Sequence, residues 1–192
     1  MTVGSYLSDA ALFLVDTILG IYILLVLLRF LLQLVRADFY NPISQFIVRA
    51  TNPPLVRLRR FIPGFWGVDL AALALLITME VLRISLTAML LGHSPRWTGI
   101  IFLGLGELAK LAVYTIIFSI FIRALLSWFS NGLQHPMTRL LCSFTDPILQ
   151  PVRRILPATG GIDLSPLVVF LGLILALKLI VQPLLDAGKA LI

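Results

Sequence analysis

The segment 145–157 reads TDPILQPVRRILP, and residues 160–166 continue it as GGIDLSP. The same pattern stands ninety-four residues earlier, where 51–63 reads TNPPLVRLRRFIP and 67–70 reads GVDL. In a 45-residue window around each copy, 14 positions are identical without a gap. Leucine repeats by chance in a leucine-rich chain, but Thr, Pro, Arg-Arg, Gly and Asp in one register do not. The chain is therefore built from an internal duplication.

The composition is that of an integral membrane protein. Hydrophobic residues make up 59% of the chain, charged residues only 12%, and mean hydropathy is +1.03. Because a soluble domain carries about 25% charged residues, this chain lacks the polar side chains to cover a water-facing surface. Its net charge of +6 indicates positive-inside topology and contact with anionic phospholipid of the bilayer, and not binding of nucleic acid.

Four apolar segments are long enough to span a bilayer, which takes about 20 residues. They lie at about 10–35, 69–91, 108–129 and 163–185. Residues 98–106 are predicted to be a lead-in at the outer surface. The predicted fold is an all-α membrane protein of two units, 1–97 and 98–192. Each unit is a transmembrane helix, an amphipathic connector and a second transmembrane helix. Both units cross twice and so have one orientation, which predicts parallel repeats with a pseudo-twofold axis along the membrane normal.

The connectors, 42–63 and 136–157, are predicted to form two short interfacial helices each, joined at Thr51 and Thr145. An Asn-Pro or Asp-Pro pair follows directly at each joint, and such pairs are helix start signals. Apolar residues recur at helical spacing among polar ones, which is typical of helices that lie in the headgroup region.

Arginines on the connectors are the first candidate site. They are Arg57, Arg59, Arg60, Arg153 and Arg154. Three interpretations stay open: plain topology anchors, a dock for anionic lipid or a membrane protein partner, and a re-entrant pore-lining segment. The arginine excess predicts that the connectors are cytoplasmic and both termini lie outside. A second copy of this chain, in a homo-oligomer, is a further candidate partner.

Asp69 and Asp163 open the second helix of each unit. A carboxylate at this position can cap free backbone N–H groups and face the positive end of the helix. Each also follows its arginine pair by nine or ten residues. An Asp–Arg clasp between connector and helix is therefore the alternative to a simple helix cap.

Charged residues inside the spans are the second candidate site, because charge in hydrocarbon needs a partner or water. They are Arg29, Arg123, Glu80, Arg83 and Lys178. Arg29 and Arg123 are repeat partners. Glu80 has Arg83 three residues on, so a local ion pair explains it. A shared polar network with Arg29, Arg123 or Lys178 is the alternative, and ion coordination is a third.

The chemistry of enzymes and cofactors has no signature in the sequence. One cysteine and two histidines offer no zinc or iron–sulfur spacing. Phosphate-binding loops, nucleophile elbows and zinc-protease motifs do not occur. We therefore expect no enzyme, no cofactor and no metal.

Three motifs carry a family resemblance. Residues 123–128 read Arg-x-Leu-Leu-Ser-Trp, and the segments 145–157 and 160–166 follow. Together they resemble the signature of the YggT family, including its YlmG branch, in two tandem units. The first copy departs from it, with Gln33-Leu34 in place of Ser127-Trp128 and Arg57 in place of Pro151. If the signature carries function, the second unit is its expected bearer.

The resemblance implies a small multi-pass protein of the bacterial inner membrane. It also implies a scaffold or regulator linked to osmotic stress and potassium homeostasis, with assembly or cell-division factor as an alternative. Such a scaffold would contact anionic lipid or a partner through its arginine-bearing helices. The rival hypothesis is a channel or transporter subunit whose water-filled path is lined by Glu80 and the arginines.

Overall fold

Helices account for nearly all of the chain that the computed structural model describes, namely residues 3–93, 95–129, 136–156 and 163–191. The elements in chain order are α1 (Val3–Leu34), α2 (Pro42–Leu58), α3 (Leu70–Leu90), α4 (Trp97–Phe129), α5 (Pro136–Ile155), α6 (Ser165–Ala176), a π-helical turn (Leu177–Val181) and α7 (Gln182–Ala190).

Four stretches are long and apolar enough to cross a membrane. They are Tyr6–Leu34, Leu70–Leu90, Trp97–Leu126 and Ser165–Ala190. Large apolar side chains on them point away from the protein, among them Phe13, Ile18, Leu179 and Ile180, which are 63–72% exposed. Outward-facing apolar surface on this scale is what a hydrocarbon environment requires. The predicted four-span, all-helical architecture is confirmed.

The lead-in predicted at 98–106 is the first part of α4, which runs unbroken from Trp97 to Phe129. Glycines on α4 and α7 allow these two helices to pack closely. A Cβ on Gly106 would lie 2.7 Å from Leu185 Cδ2, and a Cβ on Gly188 would lie 2.6 Å from the backbone nitrogen of Leu103. Small residues let membrane helices approach this closely. Residues 98–106 therefore belong to the contact between α4 and α7.

Each connector contains one helix, so the prediction of two short helices joined at a threonine is wrong. Proline removes a backbone hydrogen bond and usually ends a helix, yet α2 contains Pro53 and Pro54, and α5 contains Pro147 and Pro151. A buried stripe at four-residue spacing runs straight through each predicted joint: Ile47, Thr51 and Leu55 in α2, and Leu141, Thr145 and Leu149 in α5. Packing of this stripe outweighs the proline preference. The helices end at 58 and 155, before the predicted 63 and 157, and residue 157 lies outside the described residues.

The last span extends beyond the predicted residue 185 and contains the π-helical turn. Such turns are short insertions into α-helices. The sequence offers no signal for this one, since the apolar run continues through it.

The two connectors meet at one end of the bundle. The Asn41 side chain caps α2 and donates a hydrogen bond to the Pro136 carbonyl at the start of α5, at 2.6 Å. Around them Leu32, Ile47, Leu140 and Phe144 form one buried cluster. The connectors therefore lie side by side, while the pseudo-twofold axis stays a prediction.

Candidate functional site at the connector helices

Arg29 ties the first span to the middle of α2. Its Nη1 donates to Thr51 Oγ1 at 2.8 Å, to Asn52 Oδ1 at 2.8 Å and to the Val48 carbonyl at 3.2 Å. Arg29 is 5% exposed, and Thr51 is fully buried. The Thr51 hydroxyl in turn donates to the Ile47 carbonyl at 2.7 Å. The guanidinium therefore points into the protein and does not snorkel to water.

Arg123 makes the matching contact in the second unit. Its Nη1 donates to Thr145 Oγ1 and to Asp146 Oδ1, both at 2.6 Å. The Thr145 hydroxyl donates to the Leu141 carbonyl, also at 2.6 Å. The duplicated Arg and Thr thus perform the same task twice, which is to hold the connector helix against the preceding span.

The first arginine of each Arg-Arg pair forms a clasp with the aspartate that precedes the next span. Arg59 pairs with Asp69, and Arg153 pairs with Asp163 at 2.7 Å. Asp69 is the N-cap residue of α3 and accepts from the Ala72 N–H at 3.2 Å. Asp163 accepts from the Ser165 N–H at 3.0 Å, although Leu164 is the formal cap of α6. Cap and clasp, which the sequence left as alternatives, occur together.

The Asp163 carboxylate is stabilised in its charged form. Burial acts to raise its pKa, but hydrogen bonds from Ser165 and from Arg153, together with the Arg153 charge, outweigh burial and lower the pKa. The carboxylate is therefore ionised at neutral pH, as the clasp requires.

The two units differ at one position of this arrangement. In the second unit Asp146 contacts Arg123 and also lies 3.6 Å from Arg153, which joins both arginines to both aspartates. In the first unit the corresponding residue is Asn52. Among the residues described by the structure, Arg29 has no carboxylate partner.

The second arginine of each pair faces outward. Arg60 and Arg154 are exposed, as is Arg57 one turn earlier on α2. Of the five connector arginines predicted to form a binding face, four are exposed and Arg153 is half-buried; Arg59 and Arg153 are held in clasps.

The five charged residues predicted to share an intramembrane network are not brought together. Glu80 is 2% exposed and pairs with Arg83, whose Nη1 also reaches Asp16 Oδ1 at 3.3 Å. Arg29 and Arg123 bind the connectors instead, and Lys178 is exposed on the π-helical turn.

Sequence reasoning missed three residues that bind the arginines of the spans: Asp16, Asn52 and Asp146. The only available signal was that an Arg and a Thr-Asn or Thr-Asp step recur in one register. Asp16 had no repeat counterpart to mark it. Among the described residues no group of three or more His, Cys, Asp and Glu side chains is placed to hold a metal ion.

Comparison with known proteins identifies the relatives of this arrangement. A family model described as CCB3/YggT matches residues 8–90 and again 102–184. The chain belongs to the CCB3/YggT family. The two matched segments are the two tandem units predicted from the duplication, so both the family and its repetition are confirmed.

Several bacterial members of the CCB3/YggT family cover most of the chain. An uncharacterised protein of Pseudomonas aeruginosa is 43% identical over 91% of this chain and 87% of its own length. A Vibrio alginolyticus protein is 43% identical over 84% and 88%. The uncharacterised protein YggT of Escherichia coli K12 is 37% identical over 83% and 82%. No solved structure matches the chain significantly.

Proposed function

We propose that this CCB3/YggT protein is a non-enzymatic membrane scaffold that binds anionic phospholipid through α2 and α5. The observation that carries the proposal is that the two arginines of each Arg-Arg pair make different contacts. The first arginine holds the helix in place through its aspartate, and the second, Arg60 or Arg154, is presented outward. A pair that served only as a topology anchor needs no such fixed geometry.

Position and charge support this function. The connectors lie at one end of the bundle, where α1 ends and α3 begins. On the positive-inside rule that end is cytoplasmic in the inner membrane, with both termini outside. Each arginine near an anionic surface contributes about 1 kcal/mol. Arg57, Arg60 and Arg154 together then favour an anionic lipid by about 3 kcal/mol, which is about 100-fold in affinity.

The test is lipid binding to the purified protein in mild detergent, followed by native mass spectrometry. Phosphatidylglycerol should bind in preference to phosphatidylcholine. The double variant Arg60→Glu/Arg154→Glu should lose that preference. The matched control is Arg96→Glu/Lys189→Glu, which reverses two exposed charges away from the connectors and should retain it. Equal loss in both variants would reduce the effect to net charge and refute the proposal.

A transporter subunit is the second candidate, and one cavity favours it. The cavity measures about 390 Å³ and is lined by Asp16, Arg83, His93 and Glu107 among apolar residues. Ionisable groups at membrane depth commonly mark a substrate path. Flux of monovalent cations into proteoliposomes, present in the wild type and absent in the cavity variant Asp16→Asn/Glu107→Gln, would support this function, and absence of flux in the wild type would refute it. The link to osmotic stress and potassium stays a prediction from the family resemblance.

A further inference from the structure

The first unit carries an excess positive charge that the second unit lacks. In the second unit two arginines, Arg123 and Arg153, stand against Asp146 and Asp163. In the first unit Arg29 and Arg59 stand against Asp69 only, because Asn52 replaces the other aspartate. The counted charge is therefore zero in the second unit and +1 in the first.

The location of the excess charge makes it consequential. Arg29 is 5% exposed and interacts Coulombically with Arg59 and Asp69. A buried cation without a counter-ion is costly, and removing its partner from a buried pair is strongly destabilising. The neutral oxygens of Thr51, Asn52 and Val48 offer it dipoles but no charge. The site is thus short of one anion.

A cavity of about 350 Å³ lies at the Arg59–Asp69 clasp, whose two charges act on Arg29. It is lined by Gln33, Arg59, Gly64, Gly67, Val68 and Asp69. Gln33 follows Arg29 by one helical turn on α1, so the two lie on the same face of that helix. The cavity therefore has one wall from the first span, one from the Arg59–Asp69 clasp and one from the loop 64–68.

The walls supply donors suited to an anion. The amide of Gln33 and the guanidinium of Arg59, which is 39% exposed at its side chain, offer N–H groups. The Asp69 side chain is 4% exposed, and its oxygens are taken by Arg59 and Ala72. No atom lies within 4 Å of the ideal Cβ position of Gly67, so a ligand can approach the loop backbone closely there.

We propose that this cavity binds a phosphate group, that of an anionic phospholipid headgroup, with Gln33 and Arg59 as donors and Arg29 as the buried charge behind them. The inference rests on the proposed function and assigns it one site. Guanidinium and phosphate match in geometry. The same loop presents Phe65 and Trp66, 65% and 90% exposed, and aromatic side chains of this kind sit at headgroup level. That neighbourhood favours a lipid over free phosphate.

The test gives the first unit the carboxylate that the second unit has at the same position. Asn52→Asp supplies the missing carboxylate in a setting that the second unit already tolerates. Its affinity for phosphatidylglycerol, measured by native mass spectrometry, should fall about tenfold or more, the effect of a close charge introduced at an interface. Asn52→Ser, which also alters the Arg29 contact but stays neutral, should bind phosphatidylglycerol more tightly than Asn52→Asp.

A second variant keeps the test independent of Arg29 and its clamp. Gln33→Leu removes a cavity donor without touching any of the three Arg29 contacts, and it should weaken phosphatidylglycerol binding while the melting temperature is unchanged. A titration with inorganic phosphate distinguishes the sources. Phosphate should not compete with the lipid at millimolar concentration, and full competition would refute the headgroup assignment.

The outcomes separate this inference from the proposed function. If Asn52→Asp and Gln33→Leu bind phosphatidylglycerol normally while Arg60→Glu/Arg154→Glu does not, the surface function stands and the cavity is refuted. If the wild type shows no preference for anionic lipid, both are refuted. Loss of binding in Asn52→Asp and Gln33→Leu, with the neutral Asn52→Ser binding more tightly than Asn52→Asp, supports the cavity.

Discussion

Replacing Gly188 by alanine should force α4 and α7 apart. A Cβ at 188 would lie 2.6 Å from the backbone nitrogen of Leu103 and 2.8 Å from its Cα. Both atoms are backbone, so no side-chain rotation relieves the contact. Ordinary contact begins near 3.4 Å, and reaching it requires a local separation of about 0.8 Å, enough to forfeit a quarter to a half of the dispersion energy along that contact.

The expected magnitude follows from two opposing effects. Overpacking against a rigid neighbour costs about 1–3 kcal/mol. Alanine returns about 1 kcal/mol through its higher helix propensity than glycine. Gly172 is the matched control, since it lies in α6 with nothing within 4 Å of its ideal Cβ. Both substitutions share the propensity gain, so their difference isolates the strain, about 1–3 kcal/mol.

The assay is reversible unfolding of the purified protein in detergent, followed by circular dichroism. Gly188→Ala should unfold at lower denaturant than Gly172→Ala. Gly106→Ala should fall between them, because its Cβ meets mainly the Leu185 side chain, 2.7 Å from Cδ2, and that side chain can rotate. If Gly188→Ala proves as stable as Gly172→Ala, the close helix contact is absent and the reasoning fails.

Three further predictions concern the polar contacts. Glu80→Leu should destabilise the protein by about 3 kcal/mol because Arg83 loses its buried partner, and the double variant Glu80→Leu/Arg83→Leu should recover most of this in the same unfolding assay. Thr145→Val should cost about 1–2 kcal/mol, and more than Thr78→Val. Both hydroxyls donate to a carbonyl four residues back, but only that of Thr145 accepts from an arginine. Because the Asp163 pKa is lowered in the folded protein, its clasp contributes stability above the unfolded-state pKa and loses it as pH falls through the folded-state pKa. Melting temperature should therefore fall more steeply with acid in the wild type than in Asp163→Asn, and parallel curves would contradict this.

The connector helices show how far local sequence signals reach. The Asn52-Pro53 and Asp146-Pro147 steps predicted a break at Thr51 and Thr145, and the structure has none. The prolines 53, 147 and 151 lie on the exposed face, whereas the buried face runs on at four-residue spacing. The two signals conflicted, and burial against the neighbouring spans decided between them.

The charged residues show the same limit. Composition correctly marked Arg29, Arg123 and Glu80 as costly in hydrocarbon, and the repeat correctly paired the two arginines. Their partners could not be read from the chain. Thr51 and Thr145 lie 22 residues beyond the arginines they bind, and Asp16 lies 67 residues from Arg83. Such contacts depend on how each helix is rotated about its axis.

The sequence alone determined that this is a four-span helical membrane protein made of two tandem units, because hydropathy and repetition are sums over neighbouring residues. It also predicted which charges inside the spans need a partner. Only the tertiary structure decided which partner each one has, that Asn52 leaves the first unit one carboxylate short, and that the first arginine of each pair is held by an aspartate. Those outcomes depend on the packing angles of helices far apart in the chain, which no local pattern encodes.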